Sequence, residues 1–162
     1  MMAKSARKYW LLKSEPDSYG IDDLQRDDKT PWDGVRNYQA RNSIRDDMHV
    51  GDLALFYHSS SDPTGVAGVM EVVGASRFDP TALDPNDHHF DSKATAENPI
   101  WSLVDVKFIA KFPKFVTLAD LKGDRRFEGM LVLARGSRLS VQPVTEKHFC
   151  LVCELGGWKP RT

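Results

Sequence analysis

The sequence lacks several features that would by themselves define a class of protein. It has two cysteines among 162 residues, too few for a zinc site built from two cysteine pairs. The apolar run after the basic start, Tyr9–Leu12, is too short for a signal peptide, and no segment approaches the length of a membrane span. We therefore expect a reduced, cytoplasmic protein with no membrane association.

The chain also lacks an excess of charge of either sign. Its 22 Lys and Arg residues and 23 Asp and Glu residues give a formal net charge of −1. A protein that coats nucleic acid by charge alone is strongly basic. If this chain binds nucleic acid, it must use a local patch and a specific pocket. Its length and 41% hydrophobic content predict one domain whose core needs no disulfide or metal.

Signatures of cofactor chemistry are missing as well. The sequence has no Walker loop, no dinucleotide fingerprint and no zinc-deaminase signature. Cys150 and Cys153 fall inside a predicted helix, which favours structural thiols over a redox pair. His88 and His89 lie in an Asp-rich irregular stretch whose spacing fits no familiar metal site, so a solvated loop is favoured there. We expect no cofactor and no metal.

Hydrophobic periodicity predicts several strands with short helices around them. Period-two alternation, with Val104, Val106, Phe108, Ala110 and Phe112 on one face, makes 101–112 the clearest strand. The chain from Asp79 to Pro99 is expected to be irregular, and the type of 130–134 is left open. The remaining predicted strands are 9–13, 53–58, 65–75 and 139–144, and the predicted helices are 21–26, 37–46, 118–122 and one that Thr145 caps.

The segment Trp32–Asn42 carries the most specific functional signal. It places two aromatics, two arginines, two asparagines and a glutamine on a turn and the start of a helix. Such side chains suit a pocket that stacks a flat heterocycle and recognises its edge with amides and guanidinium groups. The alternative is a solvated helix with two aromatic anchors.

Three further blocks occur in order along the chain: Tyr9–Asp17, Gly51–Ser59 and Gly136–Val144. Together with Trp32–Asn42 they resemble the signature blocks of the EVE domain family, over about residues 9 to 155. The resemblance implies a PUA-like fold: an α+β pseudobarrel of mixed, mostly antiparallel strands with short peripheral helices. We expect a disordered tail over 1–8, one domain over 9–157 and a short tail over 158–162.

The resemblance implies a non-enzymatic domain that binds DNA or RNA carrying a modified or flipped base, and we expect it to be a monomer. Trp32 and Tyr57 are expected to stack on the base, and Asn37 and Glu15 to recognise its edge. Arg36, Arg41 and Arg138 are expected to contact phosphate or to charge the pocket, with the Gly136–Arg138 turn as a phosphate contact. The complete set of candidate site residues is Ser14, Glu15, Trp32, Val35, Arg36, Asn37, Arg41, Tyr57, His58, Ser59, Arg138, Ser140 and Gln142.

Two other functions remain open on the sequence. A small hydrolase or amidohydrolase acting on a modified nucleoside could use Glu15, with Lys13 nearby, for acid–base chemistry. A domain that binds a small molecule or a protein, with no nucleic acid, is supported mainly by the near-neutral charge.

Overall fold

One mixed sheet of six strands organises the computed structural model, which describes residues 7–135 and 138–160. The order across the sheet is β2-β5-β4-β3-β1-β6. β1 and β3 are parallel and every other neighbouring pair is antiparallel, so the predicted mixed, mostly antiparallel α+β fold is confirmed. The strands are β1 (Tyr9–Ser14), β2 (Lys29–Pro31), β3 (Leu53–His58), β4 (Gly65–Phe78), β5 (Ser102–Thr117) and β6 (Val141–Val144).

Four short α-helices surround the sheet: α1 (Ile21–Asp27), α2 (Tyr38–Asn42), α3 (Leu118–Lys122) and α4 (Glu146–Gly156). The predicted cap of α4 is confirmed, since Thr145 Oγ1 accepts a hydrogen bond from His148 N at 3.1 Å. Gly157 ends this helix in the left-handed region, at φ 81°. Among the described residues, no helix is long and apolar enough to cross a membrane.

Side chains of the central strands alternate between two hydrophobic cores. Leu12 and Phe56 face the first core, which also contains Trp32 and the buried residues of α2 and the turn after it, Ala40 and Ile44. The intervening strand residues face the second core: Leu11, Leu55, Tyr57, Val69 and Phe112. Phe149 and Val152 of α4 pack against them. The sheet is thus covered on both faces by short helices.

Several local predictions need correction. The sequence pattern predicts no strand at 29–31, but these residues form β2 at the edge of the sheet, where Pro31 is accommodated although it has no N–H to donate. The predicted helix 37–46 ends as an α-helix at Asn42 and continues as a π-helical turn over Ser43–Asp47. The apolar run 130–134 is a single 3₁₀ turn, Leu131–Leu133.

β5 extends beyond the predicted end at Phe112, and its alternation changes face on the way. Phe108 packs against the first core, whereas Phe112 lies in the second. Irregular pairing with β4 explains the change, because Val69 pairs with Ala110 while Met70 pairs with Phe108, which leaves Ile109 unpaired. A second irregular stretch, between Lys111 and Val116, accommodates Pro113.

We predict that Gly68→Ala destabilises the protein because β4 and β5 approach too closely there for a side chain. A Cβ on Gly68 would run into the backbone oxygen of Ala110 and lie 3.0 Å from Ile21 Cδ1. Overpacking of this kind costs about 1–3 kcal/mol of unfolding free energy, measurable by urea denaturation. Gly123→Ala is the control, since its Cβ would meet nothing closer than 3.4 Å. If Gly68→Ala has the same free energy of unfolding as wild type, the two strands do not approach as closely as described.

Candidate functional site

The carboxyl ends of β1 and β3 meet at one edge of the sheet because these two strands are parallel. Ser14 pairs with His58 in the register, and Ser59 N donates to Ser14 O at 2.9 Å. Ser140 joins them from the approach to β6, where its carbonyl oxygen accepts from Lys13 N at 2.9 Å. We call Ser14, His58, Ser59 and Ser140 the polar edge. Four predicted site residues from three separate blocks are therefore brought together.

The backbone of Ile21 fixes which nitrogen of the neutral His58 ring carries the proton. Nε2 accepts a hydrogen bond from Ile21 N at 3.1 Å, so the neutral ring carries its proton on Nδ1. Burial lowers the pKa of His58; Asp22 opposes this effect and Lys111 reinforces it. Within the described residues, Nδ1 has no protein hydrogen-bond partner and remains available as a donor.

Ser14 offers the complementary group at the same edge. Its hydroxyl donates to Tyr19 O at 2.6 Å, which leaves the oxygen lone pairs as acceptors. The polar edge thus presents an oriented acceptor on Ser14 and an oriented donor on His58. The sequence predicted both residues, but not the directions of their hydrogen bonds, which depend on Tyr19 and Ile21.

Trp32 and Tyr57 cannot line one pocket, which corrects their predicted shared stacking role. Trp32 is only 7% exposed and meets Phe56 edge-on, at 5.4 Å between ring centroids. Phe56 in turn meets His58 edge-on at 5.5 Å, so a row of rings connects Trp32 to the polar edge. Tyr57 is one residue further along β3 and therefore faces the second core, on the opposite side of the sheet.

Arg36 is not free to contact phosphate, because the fold uses its guanidinium group. Its Nε donates to His89 O at 2.9 Å, and its Nη2 donates to Thr81 Oγ1 at 3.0 Å. Its Nη1 donates to Val35 O at 2.9 Å and forms an ion pair with Asp79 Oδ2 at 3.0 Å. The predicted role of Arg36 is replaced by a structural one.

The carboxylate of Asp79 fixes the Trp32–Asn42 segment against the chain after β4. It accepts from Gly34 N at 2.8 Å, from Thr81 N at 2.9 Å and from Thr81 Oγ1 at 2.6 Å, in addition to Arg36. Burial opposes the charged form, but hydrogen bonds from Thr81, Gly34 and Arg36 outweigh it and lower the pKa of Asp79. Asp79 is not among the predicted site residues, although an Asp directly before Pro80 is a known turn signal.

Three more predicted residues also have structural roles. Asn37 Oδ1 accepts from Ala40 N at 3.0 Å and so caps α2, which holds in place the side chain predicted to recognise a base. Val35 is buried in the first core. Gln142 is 1% exposed and donates from Nε2 to Leu139 O at 2.9 Å, so it supports the segment before β6 instead of facing a ligand.

The remaining predicted residues are exposed or partly buried. Glu15 is exposed just beyond β1, and Arg138 is exposed near Ser140. Arg41 is half-buried, with Nη1 donating to Ile100 O at 2.9 Å. Gly136 and Ser137, the rest of the expected phosphate-binding turn, lie outside the described residues, as do residues 1–6 of the expected N-terminal tail.

Other clefts and clusters in the described part of the chain contain none of the predicted site residues. An open cleft of about 530 Å³ beside β1 is lined by charges of both signs, including Lys8, Asp47 and Glu146, and by no predicted site residue. Asp87, His88 and His89 offer metal-binding atoms within 4.8 Å of one another. These are three ligands, one fewer than a structural zinc site uses.

The fold and the site together define a PUA-type domain: an open mixed sheet whose one parallel strand pair ends in a polar edge. The EVE domain family model matches residues 8–155, and the chain belongs to this family. It is 38% identical to human thymocyte nuclear protein 1 over 176 residues, which covers 97% of this chain and 77% of that protein.

Solved structures agree with this assignment. A hypothetical protein from Leishmania major has a TM-score of 0.90 and 47% identity, covering 94% of this chain and 96% of that one. Human THYN1 in complex with DNA containing 5-methylcytosine has a TM-score of 0.86 and 38% identity, covering 94% and 99%. A YTH domain from Zygosaccharomyces rouxii, solved with N6-methyladenosine RNA, has a TM-score of 0.55 at 13% identity, a likeness of fold alone.

We predict that Asp79→Asn lowers the free energy of unfolding by about 3 kcal/mol. The substitution leaves Arg36 without its anionic partner in a partly buried site, the kind of loss that costs most. Asp105→Asn is the control, because it breaks a 3.0 Å ion pair with Arg77 whose side chains are 33% and 50% exposed. That change should cost less than about 1 kcal/mol. Equal losses in the two variants would show that Asp79 has no special role.

A second prediction concerns His58 and pH. Because the folded state lowers the pKa of His58, unfolding takes up a proton, and stability falls as pH decreases from about 6.5 toward the folded pKa. His58→Gln should remove that part of the pH dependence while its side-chain oxygen still accepts from Ile21 N. The measurement is urea denaturation from pH 7.5 to 5. His88→Gln, at an 84% exposed ring, is the control; a wild-type slope in His58→Gln would refute the interpretation.

Proposed function

We propose that this protein binds DNA or RNA and recognises a modified base at the polar edge. The observation that carries the proposal is the likeness to human THYN1 in complex with 5-methylcytosine DNA, which extends over 94% of this chain. The polar edge supplies a chemical basis, since it brings together residues from three of the four signature blocks.

The donor and acceptor at the polar edge match the edge of an amino-substituted base. His58 Nδ1–H can donate to a ring nitrogen or carbonyl oxygen, and Ser14 Oγ can accept from an exocyclic amino group. Cytosine and adenine both present such an acceptor beside an amino group on the Watson–Crick edge. Enzymes and readers that extract a base from the helix recognise it in this way.

Apolar side chains beside the polar edge give a reason for preferring a methylated base. Phe115 lies 5.8 Å from the His58 ring, and Leu139 directly precedes Ser140; both are partly buried against the first core. Burying one additional methyl group on such a surface contributes about 0.8 kcal/mol. The preference for a single methyl group is therefore expected to be modest.

The phosphate backbone would be contacted by few charges. Arg138 is exposed near Ser140, but the formal net charge of the protein is −1. Affinity should therefore depend on salt less steeply than in a strongly basic protein. This agrees with recognition through a specific site.

Geometry argues against the alternative hydrolase. Lys13 pairs with Tyr57, and its Nζ lies 5.8 Å from the centre of that ring, so it points to the face opposite Ser14 and His58. The pair Glu15 and Lys13 is therefore not a convergent acid–base arrangement at the polar edge. We propose a binding domain without catalysis, and, from the composition, a monomer in the cytoplasm.

The test is a panel of short DNA and RNA strands with 5-methylcytosine, N6-methyladenine or no modification, measured by fluorescence polarisation. We expect at least one modified strand to bind more tightly than its unmodified counterpart. Ser14→Ala should weaken that binding by roughly two- to tenfold, the value of one neutral hydrogen bond. Tyr57→Phe, on the opposite face of the sheet, should bind as wild type does.

Three results would contradict the proposal. Equal binding of all strands would show nucleic-acid binding without recognition of the modification, and binding of no strand would favour a small-molecule or protein ligand. Mass spectrometry of the recovered strands checks catalysis, because the binding-domain assignment requires every modified base to be unchanged after hours with excess protein. Time-dependent hydrolytic loss of the exocyclic amino group of 5-methylcytosine, or of the methylamino group of N6-methyladenine, abolished in Glu15→Gln, would establish the hydrolase instead.

A further inference from the structure

The exposed aromatic side chain of the Trp32–Asn42 segment is Tyr38. Its side chain is 57% exposed, whereas Trp32 is 7% exposed. Tyr38 is the first residue of α2, whose Ala40 is buried in the first core. The helix therefore covers the sheet face to which Phe56 and His58 belong, and Tyr38 lies at its surface on that side.

The ring of Tyr38 is fixed from beneath by a buried partner. It stacks on Trp101 with 4.9 Å between ring centroids and 29° between planes. Trp101 is 4% exposed and donates from Nε1 to Asp91 Oδ2 at 2.7 Å. The Arg36 guanidinium carbon lies 5.5 Å from the Trp101 ring, which links the stack to Asp79.

Arg41 adds a positive charge next to this ring. Its guanidinium carbon is 5.0 Å from the centre of the Tyr38 ring, a distance at which cation and ring attract each other. Nη1 donates to Ile100 O and Nε to Asn42 Oδ1. Nη2 has no hydrogen-bond partner within the described residues, so one donor edge is available for an anion.

A single exposed tyrosine is ordinary and by itself indicates nothing. Here, however, the ring is ordered in advance by Trp101 and Arg41, so little conformational freedom would be lost when a flat group stacks on it. An aromatic face beside an arginine is the combination with which proteins bind unpaired bases and their phosphates. The same combination has less use for an uncharged small molecule.

We propose that Tyr38 is a stacking platform for an unpaired base that neighbours the recognised one, with Arg41 contacting the phosphate between them. This inference rests on the proposed function, because it requires a nucleic-acid strand at the polar edge. It adds a second contact point, outside the recognition site, that is selective for unpaired strands and indifferent to which base is stacked.

The test compares a modified nucleoside with a single-stranded oligonucleotide of about seven residues that contains it. Tyr38→Ala should weaken binding of the oligonucleotide about tenfold, as loss of one base–aromatic stack does. Binding of the free nucleoside should be unchanged. Tyr38→Phe should keep the affinity of wild type for both, and Leu131→Ala, an exposed apolar residue at 42%, is the control for a general surface effect.

A measurement on folded wild-type protein accompanies the variants. An oligonucleotide with 2-aminopurine beside the modified base should lose fluorescence on binding to wild type and to Tyr38→Phe, because stacking quenches it. Tyr38→Leu, which keeps an apolar side chain over Trp101, should restore the signal.

Each contrary outcome is distinct. If Tyr38→Ala weakens binding of the nucleoside as much as binding of the oligonucleotide, Tyr38 belongs to the recognition site and the platform proposal is wrong. If the variants change neither affinity nor fluorescence, the platform is wrong while the proposed function stands. If wild type binds the nucleoside but gains nothing from the strand, the platform is again wrong. If it binds neither, the proposed function fails as well.

Discussion

The carboxylate of Asp79 is the constraint on which the arrangement of the Trp32–Asn42 segment depends. It is completely buried, and it gathers hydrogen bonds from Gly34, Arg36 and Thr81. A buried charge is tolerated only when its hydrogen bonds are made, so the turn containing Gly34 and the chain around Thr81 must adopt these positions together. Arg36 carries the constraint further, to the carbonyl of His89 and to the ring of Trp101.

The parallel pairing of β1 with β3 is the second organising feature. Antiparallel neighbours would place the ends of these strands at opposite edges of the sheet, whereas parallel ones bring Ser14 and His58 side by side. The carbonyl of Tyr19 then orients the side chain of Ser14, and the N–H of Ile21 orients that of His58. The parallel pairing fixes which residues meet, and these backbone groups fix which hydrogen-bonding groups they present.

The two aromatic residues of the Trp32–Asn42 segment show how the fold divides similar side chains between structure and function. Trp32 is buried in the first core and packs against Phe56, which in turn packs against His58. Tyr38 keeps one partner in the interior, Trp101, and remains open to solvent. A fixed and exposed aromatic surface thus results from burying a different aromatic beneath it.

The sequence by itself determined the features that depend on neighbours along the chain. The presence of strand β3, the buried residues Ala40 and Ile44, and the cap of α4 by Thr145 all follow from local composition, periodicity and hydrogen bonding. Its signature blocks also indicated the family and its mixed, mostly antiparallel strands. Ser14, His58, Ser59 and Ser140 are predicted from three of those blocks alone.

Only the tertiary structure decided what depends on distant contacts. The bulge in β5 that moves Phe112 to the second core, the short edge strand β2, and the partners of Arg36 all require segments far apart in sequence. Tyr57 and Trp32 are both aromatic residues in signature blocks, and residue type gives no sign that they face opposite sides of the sheet. That outcome follows from strand register and from the burial of a carboxylate at Asp79, which are properties of the folded chain and not of any local stretch.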